Sequence, residues 1–233
     1  MSQRRPVTLF AVLAVVAILA GVGVVIVGRV MPQSDRSPVP PSVTSSSAAP
    51  VVPSYLEPVT TASYAPLDGL SAGSKEAQES QREWAAKGYP LEVKLKGTDI
   101  RFRLIPPGSF MMGSPGGEDG RYDDEGPQHR VTISKPFYMA VAEVTQAQWQ
   151  KVMGSNPSRF DDGAEAPLRP VESVSWENCQ DFIKKLRSSS GAPSLRLPTE
   201  AEWEYACRAG TKDSRYGELD AIAWYDRNSG GKT

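Results

Sequence analysis

The 233 residues hold two cysteines, Cys179 and Cys207, and one histidine, His129. That inventory excludes a disulfide-rich scaffold and any zinc site built from Cys and His alone. Cys179 lies on an apolar stripe with Trp176, Phe182, Ile183 and Leu186 at helical spacing, so it reads as a small buried hydrophobe. Cys207 follows Glu204-Tyr205-Ala206. A metal-binding or catalytic role for the pair competes with packing, the default for buried thiols, and a disulfide between them depends on geometry that spacing leaves open. His129 stands between a loop and a strand, where an anchoring role outweighs general-base chemistry. Glu118, Asp119, Asp123, Asp124 and Glu125 form an acidic loop. They miss the Asp-x-Asp-x-Asp-Gly spacing of a calcium loop, and a solvated face is the default. Asn156 precedes Pro157 and is no glycosylation acceptor. No catalytic or cofactor-binding set emerges, and the metal content stays unknown.

The elements that must position these residues begin near residue 90. Leu91, Val93 and Leu95 alternate with polar residues, as do Ile100, Phe102 and Leu104, and the turn Lys96-Gly97-Thr98-Asp99 joins them. This spacing predicts a hairpin with one buried face. Pro106-Pro107-Gly108 is expected to break the strand, residues 114–129 to form a long polar loop, and Val131 and Ile133 to add a short strand. Phe137 and Tyr138 return the chain to the core. Three helices are expected from their caps: Thr145 with Gln148, Ser175 ahead of the Cys179 stripe, and Thr199 with Glu202. Val144 and Trp149 can staple the first, Gly154 closes it, and Gly210 lies beyond the C-terminus of the third. Capped helices and short strands joined by long loops imply a mixed α+β domain over 90–233.

The N-terminal third is different material. Residues 7–28 carry no charge and at about 1.5 Å per residue reach about 33 Å, enough to cross the hydrocarbon core. An uncleaved signal anchor over 1–30 is the favoured reading, and a cleaved signal peptide, with a secreted product, is the alternative. Arg4 and Arg5 before the span and Arg29 after it give only a weak bias for a cytoplasmic N-terminus, which would leave the remainder extracytoplasmic. Residues 31–74, rich in Pro and Ser, are expected to be a disordered linker. Residues 75–89 read as a short exposed helix with Glu83 and Lys87 paired at i,i+4 and Trp84 docked on the domain.

Read in order, several strings are distinctive. They are Leu104-Ile105-Pro106-Pro107-Gly108-Ser109-Phe110-Met111-Met112-Gly113-Ser114, Glu125-Gly126-Pro127-Gln128-His129-Arg130-Val131-Thr132-Ile133, and Phe137-Tyr138-Met139 leading to Glu143-Val144-Thr145. Pro170-Val171 then leads to Val174-Ser175-Trp176, and Arg196-Leu197-Pro198-Thr199-Glu200-Ala201-Glu202-Trp203-Glu204-Tyr205-Ala206 closes the set. The ordered set resembles the formylglycine-generating-enzyme, or sulfatase-modifying factor, family, with its C-type-lectin-like fold. Caps, turns and aromatic anchors account for nearly every position, so the strings identify an architecture more than a reaction.

The resemblance implies further expectations. Family enzymes use a late pair of cysteines with copper and oxygen to convert a sulfatase cysteine to formylglycine. Those cysteines follow segments that do not occur here, so the domain is expected to be C-terminally truncated, without its reaction centre. Soft thiolates suit copper(I). Family enzymes also bind calcium through an Asn near Ala221-Ile222-Ala223-Trp224, a position that here is Ile222. The connection from Gly154 to Pro170 is short, as in paralogues of other function. The expected function is a membrane-tethered binding or accessory module, with a fragment of the oxidase as the alternative. Net charge of −1 and pI near 6.0 give no footprint for nucleic acid, which leaves the membrane, through residues 7–28, and a protein or peptide ligand as expected partners.

Overall fold

The computed structural model describes residues 27–28, 50, 52–60, 74–118, 121–213, 220, 223, 225 and 227–230. Among them five strands form one antiparallel sheet in the order β1-β7-β4-β3-β2. These are β1 (Val27–Gly28), β2 (Leu56–Pro58), β3 (Glu92–Leu95), β4 (Arg101–Ile105) and β7 (Phe137–Ala140). A separate ribbon pairs β5 (Gly108–Met112) with β6 (His129–Ile133). Four helices complete the described fold: α1 (Lys75–Ala86), α2 (Gln146–Met153), α3 (Trp176–Ser190) and α4 (Glu200–Arg208). It is a mixed α+β architecture, as the caps and alternation imply.

Alternation gives the sheet two faces of different character. Val93 and Leu95, Phe102 and Leu104, and Tyr138 point to one side, where they join Val144, Trp149, Phe182, Ile183 and Leu186 in the main core. Register explains the match, because Leu104 stands opposite Tyr138 and Val93 opposite Phe102. Trp149 of α2 stacks on Phe182 of α3 with centroids 4.9 Å apart. On the other side Phe137 and Met139 meet Ile105, Ile133, Trp203, Tyr205 and Ala206, so α4 and the ribbon cover that face.

Each expected cap is in place. Thr145 and Gln148 make a reciprocal capping box for α2, and Gly154 ends the helix in left-handed geometry (φ 87°). Ser175 does the same for α3 with Asn178. Thr199 and Glu202 cap α4.

Several expectations are corrected. β4 does end at Ile105, before the Pro106-Pro107 break, but the chain beyond it is not loop: β5 forms at once and pairs with β6 from Gly108–Ile133 to Met112–His129. The linker read over 31–74 is interrupted, since Leu56 is buried and β2 pairs with β3. The helix read over 75–89 is docked more firmly than expected. The Ser74 amide donates to Ala209 O at 2.8 Å, Gln81 Nε2 to Leu104 O at 2.8 Å, and Trp84 packs edge-on against Tyr89. Glu83 and Lys87 form no ion pair; the Lys87 ammonium lies 4.4 Å over the Trp84 ring instead. Of the 7–28 span, residues 7–26 lie outside the described residues, and Val27–Gly28 is a strand paired with Met139 and Tyr138. Among the described residues no helix is long and apolar enough to cross a membrane.

Candidate functional site

The distinctive strings over 104–114, 125–133 and 196–206 meet at the second face of the sheet, around α4. Arg196 reaches Glu202 in a two-pronged ion pair, Nη2 to Oε1 at 2.5 Å and Nη1 to Oε2 at 2.7 Å. The same carboxylate accepts from the Thr199 amide at 2.9 Å. Burial alone would raise the Glu202 carboxyl, but the Arg196 and Thr199 contacts outweigh it and hold the group below the usual carboxylate range. Two residues on, Glu204 Oε1 accepts from the Gly113 amide at 3.1 Å and from Arg208 Nε at 2.8 Å. Gln128 Nε2 donates to Gly113 O at 3.1 Å. Glu204 therefore ties α4 to the end of the ribbon.

Two glycines make this approach possible. A Cβ on Gly108 would strike the Tyr205 hydroxyl, and one on Gly113 (φ +84°) would strike the Glu125 carbonyl. Tyr205 also tilts against Phe110 with centroids 5.4 Å apart. Burial raises its phenol, so the hydroxyl stays protonated at neutral pH.

Between α1, β4, the ribbon and the end of α4 lies a cleft of about 1110 Å³. Gln81, Arg103, Gln128, Arg130, Arg208 and Lys212 supply its polar lining. Arg103 lies 4.0 Å from the buried Glu92, and Arg208 holds Glu204, so much of the positive charge is already engaged. Glu76 and the hydroxyls of Ser74, Ser80, Ser109 and Thr211 line the cleft as well, and backbone hydrogen bonding at the start of α1 together with the Ser74 hydroxyl holds the Glu76 carboxyl below its usual range. The cleft can receive polar or anionic groups.

The residues singled out for chemistry are scattered. Cys179 is buried in α3, and burial pushes its thiol up to about 11, far from a reactive thiolate. Cys207 is half-buried on α4, and no disulfide joins the two. The two thiols thus sit on different helices, Cys179 sealed in the core and Cys207 half-buried. His129 is exposed at the start of β6, its Nδ1 3.0 Å from Pro127 O, which is the anchoring role. In the acidic loop Glu125 is spent internally: Ser114 Oγ donates to Oε2 at 2.5 Å and the Tyr122 amide to Oε1 at 3.0 Å. Asp123 faces Arg121 at 3.9 Å, Glu118 is half-buried, and Asp119 lies outside the described residues. Among the described residues no group of three or more His, Cys, Asp or Glu side chains is placed to hold a metal ion. Ile222 lies outside the described residues. Asn156 is structural, donating to Gln146 Oε1 at 2.9 Å.

Three polar groups escaped the sequence reading. Gln146 is buried and holds Phe160 O and Asn156. Glu172 is buried and accepts from the Arg159 and Phe160 amides, so it organises the 154–170 connection. Glu143 is half-buried with no partner among the described residues, and burial raises its carboxyl. Only Glu143 lay inside a distinctive string; the other two had no sequence signal.

Comparison with known proteins places these strings. Residues 95–233 match the sulfatase-modifying factor enzyme 1-like domain. The chain is 37% identical over 139 residues to the chaperone protein LppX of Paenibacillus barcinonensis, covering 44% of this chain and 48% of that protein. It is 30% identical over 189 residues to the formylglycine-generating enzyme of Mus musculus, covering 62% of this chain and 49% of the enzyme. The chain thus spans about half the length of the curated relatives it matches. Among solved structures, Treponema denticola variable protein 1 superposes with a TM-score of 0.50 at 26% identity, over 62% of this chain and 68% of that one.

Proposed function

Because the chain belongs to the sulfatase-modifying factor enzyme 1-like domain family, we propose that it is a membrane-tethered, extracytoplasmic binding or accessory module. One observation carries the reading: the side chains that define the family here are consumed in building the domain. Glu202 is held by Arg196 and Thr199, Glu204 by Gly113 and Arg208, and Tyr205 fills the space beside Gly108. Cys179 is inert by burial. The likeness to a protein named a chaperone supports an accessory role. The uncharged run over 7–26, ahead of the strand at Val27–Gly28, supports the tether, as read from sequence.

A second reading draws on the likeness to the mouse formylglycine-generating enzyme. In it the chain is part of an oxidase that converts a sulfatase cysteine to formylglycine. Two measurements separate the readings. The full chain, expressed with its first thirty residues, is expected to float with membranes, and recovery in the soluble fraction defeats the tether. Incubated with copper and a Cys-x-Pro-x-Arg peptide, it is expected to leave the cysteine unchanged; aldehyde formation seen by mass spectrometry defeats the accessory reading.

A further inference from the structure

On the opposite side of the main core, away from α4, the β3–β4 turn, the end of α2 and the second half of α3 enclose a recess of about 890 Å³. Lys96, Lys151, Lys184 and Lys185 line it, against the single carboxylate of Asp181. All four lysines are exposed. Among the described residues none has a carboxylate within ion-pair distance, whereas Arg101, Arg169, Arg196 and Arg208 each have one. Lys151 has a structural duty: its ammonium donates to Gly97 O at 3.3 Å and complements the C-terminal end of α2. Lys96, Lys184 and Lys185 have no such contact. A chain of net charge −1 thus concentrates uncompensated positive charge in one concave place.

We propose that this recess binds an acidic, partly apolar segment of a polypeptide partner, an inference that rests on the accessory-module reading. Three features select that ligand over other anions. The floor is apolar: Val152 and Met153 line the recess half-buried against the core, and a thioether adapts to varied side chains. The cations are flexible lysine point charges, which suit carboxylates spaced along a segment and carry no planar fork for bidentate capture of a single phosphate. The hydroxyls that would complete a phosphate cradle are committed. Ser188 Oγ donates to Lys184 O at 3.1 Å, and Ser189 and Ser190 donate to Leu186 O at 3.2 and 2.6 Å. Their lone pairs remain free to accept main-chain amides of an extended segment. Charge draws the segment in, and the floor holds its apolar side chains.

The test uses the full chain and a fluorescent peptide of alternating Glu and Leu, read by anisotropy. Binding is expected, weakening as salt is raised from 20 to 200 mM, and absent for a Lys/Leu counterpart. Lys184→Gln with Lys185→Gln is expected to weaken it by about fivefold, since exposed charge pairs each contribute modestly. Met153→Ser is expected to weaken it without changing the salt dependence. Affinity unchanged by the double lysine variant overturns the recess as the site, although peptide binding elsewhere would keep the module reading alive. Displacement by millimolar inorganic phosphate, or by vesicles of anionic lipid, also overturns the proposal, by assigning the lysines to a small anion or a bilayer. Formylglycine formation would sink the accessory reading and leave the recess measurement standing.

Discussion

The two faces of the central sheet are held by different physics. On one, Phe102, Leu104, Tyr138, Trp149, Phe182 and Leu186 are sealed from water and packed on α2 and α3. On the other, the buried apolar residues are Phe137 and Met139, and the cover depends on carboxylates: Glu92 between Arg101 and Arg103, Glu202 with Arg196, Glu204 with Arg208. Burial of apolar area is insensitive to pH and salt, while ion-paired carboxylates lose their hold when protonated. The strings over 104–114, 125–133 and 196–206 converge on the second face, while Val144, Val171 and Val174 of the others lie in the main core. A domain can therefore keep a generic core and specify its architecture through a few geometrically exacting polar contacts.

Truncating the first face should produce the largest change. Phe182→Ala deletes a fully buried ring stacked on Trp149 and is expected to cost about 3–5 kcal/mol, read as a lowered urea midpoint. A loss near that of a surface substitution would mean that α3 is not seated as described. On the second face Glu204→Ala strands the Gly113 amide and the Arg208 guanidinium together, both little exposed, and should cost about 2–3 kcal/mol. Glu202→Gln keeps shape but loses charge, and about 1–2 kcal/mol is expected at pH 7. The sign follows from its lowered carboxyl: stability is present above the unfolded value near 4.5 and fades as pH falls through the lower folded value. Wild type and Glu202→Gln should converge in stability below that range. A constant gap from pH 7 to pH 3 would remove the ion pair from the account.

Sequence reading reached the first face almost completely, because alternation over 91–104 and the stripe through Cys179, Phe182, Ile183 and Leu186 are periodic signals. The caps were equally legible, being local chemistry within four residues. The ribbon was half missed: Gly108–Met112 follows two prolines and has no buried alternation, so only its pairing with the 129–133 segment reveals it. β2 was hidden inside a Pro-rich stretch, where a three-residue strand leaves no period to detect. At the candidate site the strings located α4 and the glycines but not their long-range partners. The Gly113–Glu204 bond joins residues 91 positions apart, and nothing in either neighbourhood announces the other. The lysine recess is invisible for the same reason, as its cations come from three separate elements.

The smallest effect sharpens the contrast most. Both faces use the same capping device, yet with different third residues. Thr145 caps α2 with the neutral Gln148, and Thr199 caps α4 with the charged Glu202. Replacing either threonine by alanine removes one side-chain acceptor and should cost about 1 kcal/mol at pH 7. At α2 neither partner titrates, so the cost of Thr145→Ala should be the same at pH 7 and pH 3. At α4 the Thr199 amide and hydroxyl contribute to holding the Glu202 carboxyl low. Thr199→Ala therefore lets that folded value drift back toward the unfolded one, and part of its cost should vanish once acid has protonated the carboxyl in both proteins. Thermal melts of the two variants against wild type at both pH values decide it. If the two costs fall together, or stay constant together, the charge on Glu202 contributes nothing specific to the α4 cap, and the polar character assigned to that face rests on Glu204 and Glu92 alone.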